Sequence, residues 1–308
     1  MPFLRSTFIA LSRSRRLRRF CESSRAGQRV SARFVAGAEI QDAIKVAKTM
    51  NGQGIGVTLD SLGESVTSEI EAHRAAETYH RLLDWVGSNK ANAHISVKLT
   101  QMGLDIDPEL AESVAHDLAR HAQAAGSFMR VDMEGSRLTQ VTLDIVRRLH
   151  ARPELRDAIG VVIQAYLYRS QADVEQLLAE NVSIRLCKGA YSEPADVAFP
   201  RKADVDANFL HLSGMLLGST PCQAIATHDA AIIEKVRQMA RVRGIGSGQF
   251  EFQMLYGIRR DLQRKLAGDG FQVRVYVPFG REWYPYFMRR LAERPANTLF
   301  LARNLFRN

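Results

Sequence analysis

Near the carboxyl end of the chain, the stretch YPYFMRR (284–290) sets Tyr286 three and four positions before Arg289 and Arg290. At helical spacing these side chains share one face. Two adjacent guanidinium groups repel one another unless water or an anion holds them, so the pair reads either as solvated surface arginines or as a clamp for a carboxylate or phosphate. Other groups able to do chemistry stand one or two at a time at the ends of short apolar runs. They are Asp60 with nearby Glu64, Lys98, Asp132 with Glu134, Gln164, Arg185 with Lys188, Thr227 with His228, Gln253 with Tyr256, and Tyr276. A buried charge without a partner costs several kcal/mol, so charges recurring at this many run ends form either a closing ring of salt bridges or an active site. Lys98 could form a Schiff base if apolar surroundings lowered its pKa, but Asp132 on the neighbouring run favours a charged lysine that acts as an electrostatic anchor. His228 beside Asp229 is thin support for a metal, which usually wants three converging protein ligands, and no metal is expected.

The runs that carry these residues are short and rich in β-branched side chains: IGVTLD (55–60), HISVKL (94–99), FMRVDME (128–134), VVIQAY (161–166), SIRLCKG (183–189), CQAIATHD (222–229), FEFQML (250–255) and VRVYVPFG (273–280). Between them lie stretches with helical periodicity, such as PELAESVAHDLARHAQAAG and DAAIIEKVRQMARV, long enough to serve as crossovers. Eight strands alternating with helices predict an α/β fold, a closed (βα)8 TIM-like barrel whose active site lies at the carboxyl ends of the strands. AGAEIQDAIKVAKTM (36–50) predicts a helix before the first strand. The expected division is an amino-terminal helical segment over 1–50 and the barrel over 51–308. EWYPYFMRRLAERP reads as the helix after the eighth strand, with Pro285 in its first turn and Pro295 beyond its end. GIGSG (244–248) precedes a strand and so reads as a turn rather than a dinucleotide loop, and no GxxxxGK[ST] loop is present.

The 308 residues are 46% hydrophobic, enough for one barrel-sized domain. The formal net charge is +9, but nine arginines in the first 34 residues face only Glu22, so the basicity is local. That segment reads as a helix of the folded protein with a solvated basic face; a mitochondrial presequence, an interfacial amphipathic helix and a nucleic-acid arm are the other readings. Cys21, Cys187 and Cys222 are scattered and odd in number, which fits a reducing compartment. No apolar run approaches the roughly 20 residues of a membrane span.

Taken in order, FVAGAEIQDAI, SVKLTQMGLD, RVDMEGS, QAYLYRS, IRLCKGAY, ATHD, FEFQMLYG and VRVYVPFGREWYPYFMRRLAERPAN resemble the proline dehydrogenase family, in particular its compact single-function bacterial form. The resemblance runs over nearly the whole chain. It implies FAD across the carboxyl face of a distorted barrel, held without a Rossmann loop, and oxidation of L-proline to 1-pyrroline-5-carboxylate by hydride transfer from C5 to flavin N5. Positions matching the flavin contacts are Met133, Gln164, Lys188, Gly189, Ala190, Thr227 and His228, with Arg185 beside N5. Arg289 and Arg290 match the clamp on the proline carboxylate, Lys98 adds a third positive group, and Tyr276 and Tyr286 match the pocket walls, with Tyr191 at its edge. Asp132 matches the residue that orders the charged cluster, and Glu64 a gate that pairs with Arg289. Cys187 stands where an aliphatic residue is common in the family and carries no expected redox role. Implied partners are a membrane quinone and a separate 1-pyrroline-5-carboxylate dehydrogenase, with no nucleic acid. The implied setting is the bacterial cytoplasm or the inner membrane face, and the resemblance weighs against a presequence. A lysine Schiff-base aldolase on the same barrel and a basic membrane or nucleic-acid adaptor are the competing classes.

Overall fold

The computed structural model describes residues 32–284 and 286. Eight parallel strands close into one barrel in chain order: β1 (Gly56–Ser61), β2 (Ala93–Val97), β3 (Met129–Val131), β4 (Ile159–Gln164), β5 (Ser183–Cys187), β6 (Gln223–Ala226), β7 (Phe250–Leu255) and β8 (Gln272–Phe279). Closure is made by β8 lying parallel to β1, with Val57 opposite Val275 and Leu59 opposite Val277. All eight expected strands are present, and the reading of FEFQML coincides with β7. The third expected strand is shorter: β3 ends at Val131, the Asp132 amide still donates to the Val97 carbonyl of β2 at 2.8 Å, and the residues after it form a loop at the mouth. The fifth and sixth end early at the same rim. GIGSG is a turn, with Gly244 at φ +67°.

Around the strands lie α1 (Ile40–Asn51), α2 (Glu69–Asn89), α3 (Pro108–Ala124), α4 (Thr139–His150), α5 (Ser170–Ala179), α6 (Lys202–Leu216), α7 (Ala230–Val242) and α8 (Arg260–Gly268). Local chemistry sets several starts. The Ser68 hydroxyl accepts the Glu71 amide at the head of α2, and Asp107, followed by Pro108, accepts the Glu109 amide at the head of α3. The inward stripe of α3, Ala111, Val114, Ala115, Leu118, Ala119 and Ala122, is buried at helical spacing. Each fully buried Val, Leu or Ile of this layer contributes roughly 1.5–3 kcal/mol.

One helix departs from the simple (βα)8 order. In a regular barrel the helix after the last strand covers the seam between last and first; here α1, which precedes β1, packs on both β1 and β8. It does so through buried Ile40, Ala43, Ala47 and Met50, while the Ala36 amide donates to the Pro278 carbonyl at 2.9 Å and the Gly280 amide to Gly37 at 2.9 Å. Beyond β8, Trp283, Tyr284 and Tyr286 are helical and buried. The remainder of the expected final helix, and the basic segment over 1–31, lie outside the described residues.

Candidate active site

Because strand side chains alternate between faces, every second residue enters the barrel lumen, and at the carboxyl end those residues are polar. Thr58 and then Asp60 come from β1, Ser96 from β2, Arg185 from β5 and Tyr276 from β8, with Lys98 just past β2 and Asp132 just past β3. Asp132 is the hub. Its Oδ1 accepts hydrogen bonds from Ser96 Oγ at 2.7 Å and from Arg185 Nη1 at 3.0 Å, and its Oδ2 accepts one from the Tyr276 hydroxyl at 2.8 Å. Lys98 Nζ stands 3.6 Å from that same Oδ2 and 3.3 Å from Asp60 Oδ1. Arg185 donates also to Ser96 Oγ at 3.1 Å and to Thr58 Oγ1 at 3.5 Å, and its guanidinium carbon lies 5.3 Å from the centre of the Tyr276 ring.

These contacts decide the charges. Burial works to raise the Asp132 carboxyl, but Lys98, Arg185 and its two hydroxyl donors hold it below the usual carboxylate range. Burial alone would lower the Lys98 ammonium, and Asp60 and Asp132 together hold it well above the ordinary lysine value. Asp60, whose side chain is only 1% exposed, is pushed up by burial, which Lys98 does not offset. Two carboxyls facing one ammonium are therefore unequal: Asp132 stays ionised and Asp60 is the one that holds a proton more readily. Tyr276 is raised well above its usual value by burial and then by Asp132, so it remains a hydrogen-bond donor.

Around this cluster the rim is built from strand-end loops. Gln164 Nε2 donates to the Met133 carbonyl at 3.1 Å, tying the end of β4 to the loop after β3. Glu134 accepts from the Thr100 amide at 3.1 Å and the Thr100 hydroxyl at 2.6 Å, and burial raises its pKa. Lys188 pairs with Asp206 and, at 3.6 Å, with Asp229. Gly189, at φ +107°, packs on the Tyr166 ring so closely that a Cβ would stand 2.3 Å from Cδ1; only glycine fits there. Ala190 next to it is exposed, and Tyr191 is half-buried. Thr227 is buried, its amide donating to the Gln253 carbonyl at 3.1 Å, and His228 Nε2 accepts the Leu255 amide at 2.7 Å, which leaves the neutral ring's proton on Nδ1. Glu64 is exposed on the loop after β1. Cys187, at the end of β5, packs half-buried against the core.

Of the residues expected from the sequence, Lys98, Asp132, Arg185 and Tyr276 form one connected cluster, and Met133, Gln164, Lys188, Gly189, Ala190, Thr227 and His228 ring the same mouth. Tyr286 is buried beyond β8, while Arg289 and Arg290 lie outside the described residues. Sequence reasoning passed over Thr58 and Ser96. Their signal was present in the two-residue step from each to Asp60 and Lys98, which puts both members of each pair on one strand face.

Three atoms of this region are buried and take no hydrogen bond among the described residues: Asp60 Oδ2, Gln164 Oε1 and Arg185 Nε. An unsatisfied buried polar atom costs about 1–3 kcal/mol, so their gathering at one mouth is what a site for a polar ligand requires. Among the described residues no group of three or more His, Cys, Asp or Glu is arranged to hold a metal ion. None of their helices is long and apolar enough to cross a membrane.

Residues 43–303 match the family model described as proline dehydrogenase. The chain is 40% identical over 305 residues to proline dehydrogenase 1 of Bacillus subtilis, covering 99% of each sequence, and 40% identical over 281 residues to proline dehydrogenase of Deinococcus radiodurans, covering 90% of each. Among solved structures, proline utilization A (PutA) from Bdellovibrio bacteriovorus, inactivated by N-propargylglycine, superposes with a TM-score of 0.82 at 26% identity. That match covers 92% of this chain and 34% of the PutA chain.

Proposed function

The chain belongs to the proline dehydrogenase family and oxidises proline at a CH–NH bond; from that premise we propose that it works with FAD. The flavin would supply an acceptor for hydride from C5 of L-proline at its N5, giving 1-pyrroline-5-carboxylate. The residues fit such a group. Gln164 Oε1 and Arg185 Nε are buried and unsatisfied at the mouth, and the glycine turn at 189 brings the backbone close to Tyr166 without a side chain in the way. Met133, Gln164, Lys188, Gly189, Ala190, Thr227 and His228 would hold it, with Arg185 as the fixed positive charge that stabilises added electrons. No Rossmann loop is needed, since strand-end loops supply the contacts.

For the substrate, Lys98 is the described cation that meets the proline carboxylate, and Arg289 and Arg290 complete the clamp. Holding one small anion by several donors fixes the ring in one orientation, and such positioning can supply several kcal/mol of a barrier reduction. Asp132 keeps Lys98 charged and aims Arg185, while Tyr276 and Tyr286 wall the pocket and exclude water. Glu64 closes the site by pairing with Arg289. Electrons then leave for a membrane quinone, and the product goes to a separate 1-pyrroline-5-carboxylate dehydrogenase. In domain terms, an amino-terminal helical segment over 1–50 precedes the barrel over 51–308, which carries the whole site in a protein at home in the bacterial cytoplasm.

The observation that carries this reading is the convergence of Lys98, Asp132, Arg185 and Tyr276 beside three unsatisfied buried atoms. A Schiff-base role for Lys98 is disfavoured by the same geometry, because the acidic side chains beside it, Asp60 and Asp132, hold its ammonium well above the ordinary lysine value. The test is a spectrum: the purified protein is expected to show a flavin band that bleaches anaerobically on addition of L-proline. A folded preparation that FAD cannot reconstitute, or borohydride trapping of a carbonyl substrate on Lys98, would overturn it.

A further inference from the structure

The loop from Lys188 to Arg201, between β5 and α6, carries Gly189, Ala190 and Tyr191 to the barrel mouth, and one side chain of that loop reaches across to two other strand ends. Glu193 Oε1 accepts the Ser136 amide at 2.7 Å, and Oε2 accepts the Ser136 hydroxyl at 2.5 Å. The Tyr166 hydroxyl lies 3.5 Å from Oε1. Ser136 opens the short 3-10 turn (Ser136–Leu138) that leads directly into α4. Neither Gly135 before that turn nor Leu138 before α4 supplies a side-chain cap, so the first amide of the turn is served by a carboxylate 57 residues away.

That bond joins particular loops. Ser136 stands four residues after Asp132 and three after Met133; Tyr166 stands two after Gln164; Glu193 stands two after Tyr191. The far part of the Glu193 loop is already fastened. Leu167 bridges Ala198, the Tyr168 amide donates to Val197 at 3.1 Å, the Phe199 amide to Tyr166 at 2.8 Å, and the Tyr168 hydroxyl to Ala195 at 2.9 Å. At the near part, Gly189 rests on the Tyr166 ring. Between these two anchors, Glu193 makes the contact that draws the loop toward the β3 side of the mouth, where Asp132 organises the charged cluster.

We propose that Glu193 is a positioning residue for the proline site: by bonding Ser136 it latches the loop after β5 to the loop after β3 and so places Tyr191 over the substrate cavity. This rests on the reading of the mouth as the proline site, but the latch itself does not. A charge-assisted carboxylate bond to an amide is stronger than a neutral one, so the carboxylate and not merely an acceptor is required.

The test uses the full chain saturated with FAD and compares Glu193→Ala, Glu193→Gln, Ser136→Ala and the double variant of Glu193→Ala with Ser136→Ala. Two readouts are taken: proline kinetics, and hydrogen–deuterium exchange of the Ser136 amide and of residues 189–193, between the two anchors. Glu193→Ala is expected to raise KM for proline about tenfold with kcat changed less than threefold, and to speed exchange at least fivefold. Glu193→Gln falls between it and the wild type on both. The Ser136→Ala change should add little once Glu193 is gone, because the two lose one shared contact. Unchanged exchange in Glu193→Ala would overturn the latch, and faster exchange with unchanged KM would overturn its role in positioning. Fully additive effects of the two substitutions would likewise overturn it. If the wild type did not oxidise proline, the functional reading would fail by itself while the exchange comparison still decided the latch.

Discussion

The two mouths of the barrel both bury charge, and they handle it differently. At the amino-terminal mouth, Arg274 pairs with Glu251 at 3.0 Å and donates to the Val57 carbonyl and to Asn92, while Arg130 donates to the Ser183 carbonyl and hydroxyl and to the Val161 carbonyl. These donors are turned onto backbone oxygens, one carboxylate, the Asn92 side-chain oxygen and the Ser183 hydroxyl; among the described residues of that mouth only Arg130 Nε is buried without a partner. His94 nearby is held well below the usual histidine range by burial and by Arg274 and Arg130, so it stays neutral. At the carboxyl mouth, two carboxyls face one lysine and one arginine, and three buried atoms are left unsatisfied. A closing ring of salt bridges and an active site were alternative readings of the polar strand ends. The molecule has a polar plug at one mouth and, on the function proposed above, a site at the other, and the difference lies in how completely each network satisfies itself.

That contrast can be broken by substitution. The largest effect is expected from Asp132→Asn, which removes the charge that holds Lys98, Arg185 and Tyr276; kcat/KM for proline should fall by about 10³-fold, measured in steady state with bound flavin confirmed by absorbance. Glu251→Gln is its counterpart at the other mouth. It leaves Arg274 buried without a counter-charge and should lower unfolding stability by about 3 kcal/mol in denaturant titration, with kcat/KM unchanged; a fall in activity as large as that of Asp132→Asn would erase the distinction between the mouths. Arg289→Met should raise the apparent KM for proline by roughly 10- to 100-fold and leave FAD in place, as loss of a charge-assisted bond predicts. Loss of flavin with unchanged KM would assign the arginine to the other ligand. Tyr276→Phe removes one bond to Asp132 and should lower kcat/KM by about tenfold.

The smallest effect is a dependence on pH. The folded-state pKa of Asp132 lies below its unfolded value, so its contribution to stability is complete above the ordinary carboxylate range and is lost as pH falls through the folded pKa. The stability difference between the wild type and Asp132→Asn should therefore be constant near neutrality and shrink in acid. A gap that widened in acid would mean that Asp132 is not the ionised member of the pair.

Much of the barrel was legible from local pattern. Runs such as FEFQML and VRVYVPFG announce buried strands by composition, and the stretches between them announce helices by period, because both signals depend on neighbours a few positions apart. The site was legible as a list of strand-end charges but not as a network. Arg185 meets Ser96 across 89 residues and Tyr276 meets Asp132 across 144, distances over which periodicity carries no information. Glu193 sat in an exposed-looking loop with no mark to single it out, since what it bonds is an amide 57 residues earlier. The early end of β3 was missed because a β-propensity reading of FMRVDME has no means of seeing where the pairing with neighbouring strands stops.

By itself, then, the order of residues determined which segments are strands, which are helices, and which charges stand at the strand ends, since alternation and 3.6-residue periodicity are properties of the local backbone. Tertiary structure alone decided the register in which β8 meets β1, that α1 packs on both of those strands, and that Asp132 and Asp60 share Lys98 unequally. The reason is that these outcomes depend on burial and on distances between residues far apart in the chain. A carboxylate's charge is set by the partners closure brings to it, and no stretch of sequence contains those partners together.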